Sequence, residues 1–187
     1  ILADGDFPSH PLALEWLRQC PYVVCCDGAA NTYIRSGRMP EAIVGDGDSL
    51  LPDIKERYAS LIHSEAEQET NDLSKAFRFC LSQERKRITI MGATGKREDH
   101  TIGNVSLLAD YMEQAEVSMM TDYGIFVPIR EDSMFESYIG QQISVFNMNS
   151  TALSAEGLAY PLSVFTNWWQ GTLNEALARH FIIRTEG

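Results

Sequence analysis

No Cys-x-x-Cys pair occurs among the four cysteines, Cys20, Cys25, Cys26 and Cys80. The adjacent Cys25 and Cys26 lie in an apolar run, where they read as small buried hydrophobes, and a reducing, cytoplasmic compartment is expected. No uninterrupted apolar stretch approaches the ~18 residues of a membrane span, and no basic-then-apolar leader precedes Ile1. Cations are scarce: 15 Lys and Arg stand against 26 Asp and Glu, a formal charge of -11. Nucleic acid and anionic membranes repel a surface of that sign, so neither is an expected partner. An anionic ligand needs a locally positive pocket or a metal ion here. Internal repeats and low-complexity linkers are also missing, and 187 residues suffice for one large domain or two small ones.

What is present is an alternation. Short apolar runs at 22–26, 42–44, 61–63, 88–91 and 117–120 read as strands buried on both faces, as a parallel sheet requires. Between them lies the helical period. From Thr70, residues Leu73, Ala76, Phe77, Cys80 and Leu81 recur on one face, with Thr70 or Asn71 placed to cap the start. A second helix is expected from about Thr101 with Ile102, Val105, Ala109 and Met112 on one face, and a first after Ser9 with Leu12, Trp16 and Leu17. Strands alternating with helices predict an α/β fold with a doubly wound, mostly parallel, Rossmann-like sheet over 1–130. After Arg130 the runs at 143–148, 151–154, 158–160 and 181–184 are short, partly alternating and separated by Gly or Asn, which predicts a small all-β domain over 131–187.

In such a sheet, ligands bind beyond the carboxyl ends of the strands. The residues there are acidic. Asp27 follows the first run in Cys-Asp-Gly-Ala-Ala-Asn, Asp46 and Asp48 follow the second in Gly-Asp-Gly-Asp-Ser, Asp72 opens the Thr70 helix, and Asp99 lies in the loop after the fourth run. Hard oxygen ligands gathered this way suit Mg²⁺, which uses one or two carboxylates together with substrate phosphates. Each aspartate taken alone serves equally well as a helix cap or turn residue.

The segment Gly92-Ala93-Thr94-Gly95-Lys96-Arg97-Glu98-Asp99-His100 leads from a strand into a helix. Its glycines can bring backbone N–H groups close to phosphate oxygens while Lys96 and Arg97 neutralise them. It is not a Walker loop, because its glycine spacing is too short and Arg97 stands where Ser or Thr would meet magnesium. A solvated loop of the same composition is an equal alternative, and His100 can be a helix N-terminal residue with no chemical duty.

Asp27-Gly28-Ala29-Ala30-Asn31, Gly45-Asp46-Gly47-Asp48-Ser49, Thr70-Asn71-Asp72-Leu73-Ser74-Lys75-Ala76 and Gly95 to His100 through Asn104 together resemble the ordered motif set of the thiamine pyrophosphokinase family. Residues 157–162 and 171–175 are similar to its thiamine-binding β-sandwich. The resemblance covers nearly the whole chain. It departs at Gly47, where a bulkier residue is common, at Lys96, which replaces a glycine, and at Thr172-Leu173-Asn174, which replaces a Ser-Asn pair.

The resemblance implies Mg²⁺-dependent transfer of a diphosphoryl group from ATP to the hydroxyl of thiamine, giving thiamine diphosphate and AMP, in a homodimer whose active site lies at the subunit interface. It implies catalytic acids at Asp46, Asp48, Asp72 and Asp99, the first three holding the metal. It further implies nucleotide contacts from Asp27, Gly28, Asn31, Gly92, Thr94, Gly95, Lys96, Arg97 and His100, and thiamine contacts from Gln68, Asp72, Trp169, Thr172 and Asn174. Trp168 and Trp169 could each stack on a cationic ring, but on a strand only one of two neighbours faces it. Competing readings are a diphosphokinase for a pterin alcohol, an aspartyl-phosphate hydrolase suggested by Asp46-Gly47-Asp48, and a catalytically silent nucleotide-binding dimer module.

Overall fold

Each of the five apolar runs in the first 120 residues contributes a strand: β1 (Val24–Cys26), β2 (Ala42–Gly45), β3 (Ile62–Ser64), β4 (Arg87–Met91) and β5 (Glu116–Met120). The computed structural model, which describes residues 1–65, 67 and 69–186, pairs β1 with β2, β2 with β3 and β4 with β5 in parallel, and adds the short antiparallel β6 (Ile125–Phe126) beside β5. The gap between β1 and β4 is filled by the start of the chain. Leu2 bridges Cys25 and Met91 in parallel, the Leu2 N–H donates to the Val24 carbonyl at 2.8 Å, and the Ala3 N–H donates to the Met91 carbonyl at 2.8 Å. The sheet therefore runs β3, β2, β1, the first residues, β4, β5, β6.

Alternate residues of these strands feed two cores, one on each face. Val24, Cys26, Val44, Ile88, Ile90 and Met119 pack with Leu73, Phe77 and Leu108 from α4 (Asp72–Ser82) and α5 (Glu98–Tyr111). Leu2, Cys25, Ile43, Met91 and Met120 pack with residues of α1 (Pro11–Gln19), α2 (Ala29–Arg35) and α3 (Pro52–Arg57). Period-two alternation across a sheet covered on both sides accounts for the continuous apolar runs.

The helix expected from Thr70 is α4, capped by Asn71, whose side chain accepts the Ser74 N–H at 2.9 Å. Its anticipated face is buried except for the half-buried Leu81. Two other expected faces are corrected. In α1 the core side holds Ala13 and Leu17, while Leu12 and Trp16 are exposed. In α5, which starts at Glu98, the buried positions are Leu108 and Tyr111; of the expected face, Val105 and Met112 pack half-buried against the core, while Ile102 and Ala109 face solvent. α2 and α3 were not anticipated, since six or seven residues span too few turns to show a period.

The chain divides into two units, Ile1–Pro128 and Ile129–Gly187. The second is a small β domain. β7 (Ser133–Glu136), β11 (His180–Glu186) and β9 (Ala152–Glu156) form an antiparallel sheet with β11 central, and β8 (Gln142–Ile143) pairs with β10 (Asn174–Glu175). Both sheets send side chains into one cluster around Phe181, Ile183, Leu162 and Ala176. The strand expected over 143–148 shortens to Gln142–Ile143, and the one over 158–160 reduces to a single bridge between Leu158 and Ala176.

Candidate active site

Parallel strands share one carboxyl edge, and the acids of this unit collect along it. Asp27 follows β1, while Asp46 and Asp48 follow β2. Oxygens of these three side chains lie within 4.8 Å of one another. The loop carrying them is braced from several sides. The Asp48 N–H donates to Asp46 Oδ1 at 3.1 Å, and Ser49 Oγ donates to Asp48 Oδ1 at 3.0 Å. From α3, Lys55 Nζ donates to the Gly47 carbonyl at 2.6 Å. From α2, Asn31 donates to the Ser49 carbonyl at 2.8 Å and accepts from the Leu51 N–H at 3.0 Å. Asn31, expected beside a nucleotide, thus has both ends of its amide engaged in holding the acidic loop.

Asp27 is the buried member of the group, 3% exposed, with a left-handed φ of 30°. Its Oδ2 accepts the Ser49 N–H at 3.1 Å, but its Oδ1 is buried with no hydrogen-bond partner. Burial pushes its carboxyl group up to about 6, opposed by the Ser49 hydrogen bond and assisted by Asp72, Asp48 and Asp46. A buried carboxylate with one oxygen lacking a donor, grouped with two further carboxylates, is an unmet demand for positive charge. The donor set is oxygen only, which suits a hard divalent cation such as Mg²⁺.

Asp72 flanks this group at the first turn of α4. A Cβ built on Gly45 would lie 2.8 Å from Asp27 Cβ and 3.4 Å from Asp72 Cγ, so the missing side chain is what lets the two acids come together. Asp72 Oδ1 accepts from Lys75 Nζ at 3.1 Å. Asp99 is placed differently. It is gripped by Arg97 through Nε at 3.0 Å and Nη2 at 2.5 Å, and it accepts the His100 N–H at the start of α5. Arg97 holds its carboxyl group down to about 2. Among the described residues it is not one of the metal-spaced carboxylates.

The glycine loop after β4 has the left-handed residues its composition suggests, Gly92 at φ 66°, Gly95 at 90° and Lys96 at 25°. It abuts acids that were not anticipated, Asp4 and Asp6. Lys96 Nζ pairs with Asp4 Oδ1 at 3.1 Å, a Cβ on Gly28 would meet Asp4 Oδ2 at 2.7 Å, and one on Gly95 would overlap Asp6 Oδ2 at 2.2 Å. Their signal was in the sequence, because Leu2-Ala3-Asp4-Gly5-Asp6 repeats the strand-then-Asp-Gly pattern of the other units. A cavity of about 340 Å³ opens between this loop and the end of β5, with Asp6, Phe7, Thr94, Gly95, Thr121 and Tyr123 among its walls. A hollow of about 190 Å³ lies beside it, with Asp4, Ala29, Thr32 and Lys96 in its lining. His100 is exposed at the start of α5.

In the β domain, Trp168–Gly171 is a 3₁₀ turn rather than a strand, so the opposite-facing rule for the tryptophans does not hold there. Trp168 packs edge-on to Phe146 with centroids 6.1 Å apart, and Trp169 is 73% exposed. Thr172 donates its hydroxyl to the Trp169 carbonyl at 2.7 Å. Asn174 is buried, donating to the Tyr160 carbonyl at 2.8 Å and accepting from the Tyr160 and Glu175 N–H groups. Its amide closes the sheet edge. Gln68 lies outside the described residues.

Residues 13–120 match the family model of the thiamin pyrophosphokinase catalytic domain, and residues 124–187 match that of the thiamin pyrophosphokinase substrate-binding domain. The chain is 30% identical over 129 residues to thiamine pyrophosphokinase 1 of Oryza sativa subsp. japonica, covering 56% of this chain and 49% of that protein. It is 34% identical over 86 residues to thiamine pyrophosphokinase of Bacillus subtilis (strain 168), covering 44% and 40%. It thus spans about half the length of the curated relatives it matches. Among solved structures, thiamine pyrophosphokinase from Bacillus subtilis superposes with a TM-score of 0.80 at 21% identity over 99% of this chain and 92% of that one. The enzyme from Candida albicans gives 0.74 at 20% over 98% and 84%. Two family models in the expected order, over an α/β unit whose strand ends gather carboxylates, place this chain in the thiamin pyrophosphokinase family.

Proposed function

We propose that the protein is a thiamine diphosphokinase, moving a diphosphoryl group from ATP to the hydroxyl of thiamine and releasing AMP. The observation that carries this reading beyond family membership is the buried Asp27, grouped with Asp46 and Asp48 and left with one oxygen, Oδ1, that has no hydrogen-bond partner. Helices on both faces, and a strand order that reverses at the first residues, support a doubly wound, Rossmann-like frame over 1–130. In that frame, ligands sit at the carboxyl edge where the acids collect.

Asp27, Asp46 and Asp48 would hold Mg²⁺, with Asp72 at their side. The bound ion supplies charge neutralisation for the phosphates and polarises the phosphorus under attack. Lys96 and Arg97, exposed on the glycine loop, neutralise the nucleotide phosphates, and the backbone of Gly92, Thr94 and Gly95 shapes the loop to approach them. One of Asp46, Asp48 and Asp72 receives the proton of the attacking hydroxyl. Asp99 orients Arg97 through its two hydrogen bonds.

Thiamine would be met by the β-sandwich over 131–187, with Trp169 as its exposed aromatic face and Thr172 as a polar contact, and by Gln68 from the first 130 residues. Asn174 would act by shaping the edge at Tyr160. A homodimer with the active site at the subunit interface fits the exposed Tyr138, Ile139, Trp169, Leu173 and Leu177 of this unit. A cytoplasmic setting fits the free thiols of Cys25, Cys26 and Cys80, all buried, with that of Cys25 pushed up to about 12 by burial. Among the described residues no helix is long and apolar enough to cross a membrane.

Incubation with ATP, Mg²⁺ and thiamine should give AMP and thiamine diphosphate in equal amounts. Release of AMP that is indifferent to thiamine, or that needs a pterin alcohol instead, would overturn the assignment.

A further inference from the structure

Lys75 has no place in the proposed mechanism, yet its burial is unusual for its type. Its side chain is 3% exposed, on the third residue after Asp72, and its ammonium pairs with Asp72 Oδ1 at 3.1 Å, while Asp72 itself stays 37% exposed at the rim. An ammonium ion is buried at a large desolvation cost that only a well-placed partner offsets. The core face of α4 is otherwise apolar apart from Ser74, whose hydroxyl is bonded to Tyr111 at 2.8 Å. A leucine or methionine would satisfy the same packing. The fixed charge sits behind Asp72, which lies against Asp27 across the side-chain-free Gly45.

Resting on the metal and phosphate roles proposed above, we infer that Lys75 is a positioning residue that sets the charge balance of the acid group, so that a divalent cation is captured together with phosphate rather than alone. Three clustered carboxylates plus Asp72 would by themselves form a strong cation trap. One buried positive charge weakens the hold on a bare cation and strengthens the hold on an anion, because its Coulomb term has opposite signs for the two. It also ties Oδ1 of Asp72 and so fixes the direction of that carboxylate. Magnesium sites that work on nucleotides have this property, drawing part of their ligand set from the substrate phosphates.

The test measures two affinities separately on the full chain without turnover: Mn²⁺ alone, and inorganic diphosphate in the presence of a chelator. Lys75→Met, close in shape to the lysine stem, should bind Mn²⁺ about tenfold more tightly and diphosphate about tenfold more weakly, as one unit charge at moderate screening allows. Lys75→Arg should return both values toward wild type. If Lys75→Met does not fold, Lys75→Gln, which keeps a donor for Asp72 without the charge, should give the same opposed shifts. A purely structural lysine would weaken both ligands together, and that result, or two unmoved affinities, would overturn the inference. Wild-type protein that binds neither probe would instead bring down the proposed function.

Discussion

Asp27 follows β1 as a turn residue would, and its sequence context, Cys-Asp-Gly-Ala-Ala-Asn, points equally to a turn or a nucleotide contact. The structure gives it a third setting, buried among acids. A carboxyl group lifted to about 6 in the folded chain, against 3.8 ordinarily, makes the metal-free protein bind more protons than its unfolded form between those values. Stability therefore falls as pH rises from about 4 to 6, and the deficit persists above 6, on the order of 3 kcal/mol. In EDTA, Asp27→Asn should raise the melting temperature at pH 7.5 and have little effect at pH 3.5. A melting temperature lowered at both values would show that the carboxylate is a structural bond. For Asp48 and Asp72, replacement by Asn should leave folding intact and cut thiamine-dependent AMP formation by at least about 100-fold, since each change removes a negative charge from the acid group that holds the cation. Near-normal rates in either variant would refute its role. Asp72 was visible in the sequence because it opens the long, regular α4, and Asp48 because it follows an apolar run that forms a regular strand. Asp4 and Asp6 were not, because the residues before them join the sheet only through the isolated bridges of Leu2.

At the scale of elements, legibility followed length and burial. α4 could be read outright, since its apolar stripe is regular and Asn71 caps it. The faces of α1 and α5 were misread because both helices carry large apolar residues on the solvent side, Trp16 and Ile102, and periodicity alone does not say which stripe meets the sheet. The start of α1 also depends on a contact that no local pattern shows. Asp122, after β5, accepts from the Ser9 and His10 N–H groups at 3.0 Å, and from the Ser9 hydroxyl at 2.5 Å. A carboxylate 113 residues away thus holds the residues that lead into α1, where the helix dipole favours it, while His10, the N-cap itself, accepts the Leu12 N–H at 3.3 Å. The Ser9 hydroxyl and the His10 N–H hold its carboxyl group below the usual range. Because the folded value is the lower one, the stabilisation is present above about pH 4 and is lost as pH falls through that range. Asp122→Ala should cost about 1 kcal/mol in urea denaturation at pH 7 and progressively less as the pH is lowered below about 4. An equal cost at both values would mean that the loop, and not the charge, supports the helix.

At the scale of the whole molecule, the two units differ in how they are held together. Ile1–Pro128 has two apolar clusters, one on each face of its sheet, and every acid and cation assigned to metal and phosphate lies within it. The second unit has one small cluster whose fully buried members are Leu162, Ala176, Phe181 and Ile183. Below about 60 residues a core of that size is marginal. The change of pattern after Arg130 was legible because a two-residue alternation replaces a helical one, but the shortness of β8 and the existence of β10 were not, since two-residue strands are made by pairing and not by propensity. A fragment of residues 1–128 should therefore fold and keep Mn²⁺ binding within about threefold of the full chain, because its ligands and its cores are self-contained. The same fragment should form no thiamine diphosphate, because Trp169 and Thr172, two of the three groups proposed to meet thiamine, are gone with the β domain. Residues 129–187 alone should show no cooperative thermal transition. Should the fragment lose Mn²⁺ as well, the carboxylates would need the β domain to hold their geometry, and the division of labour between the units would have to be redrawn.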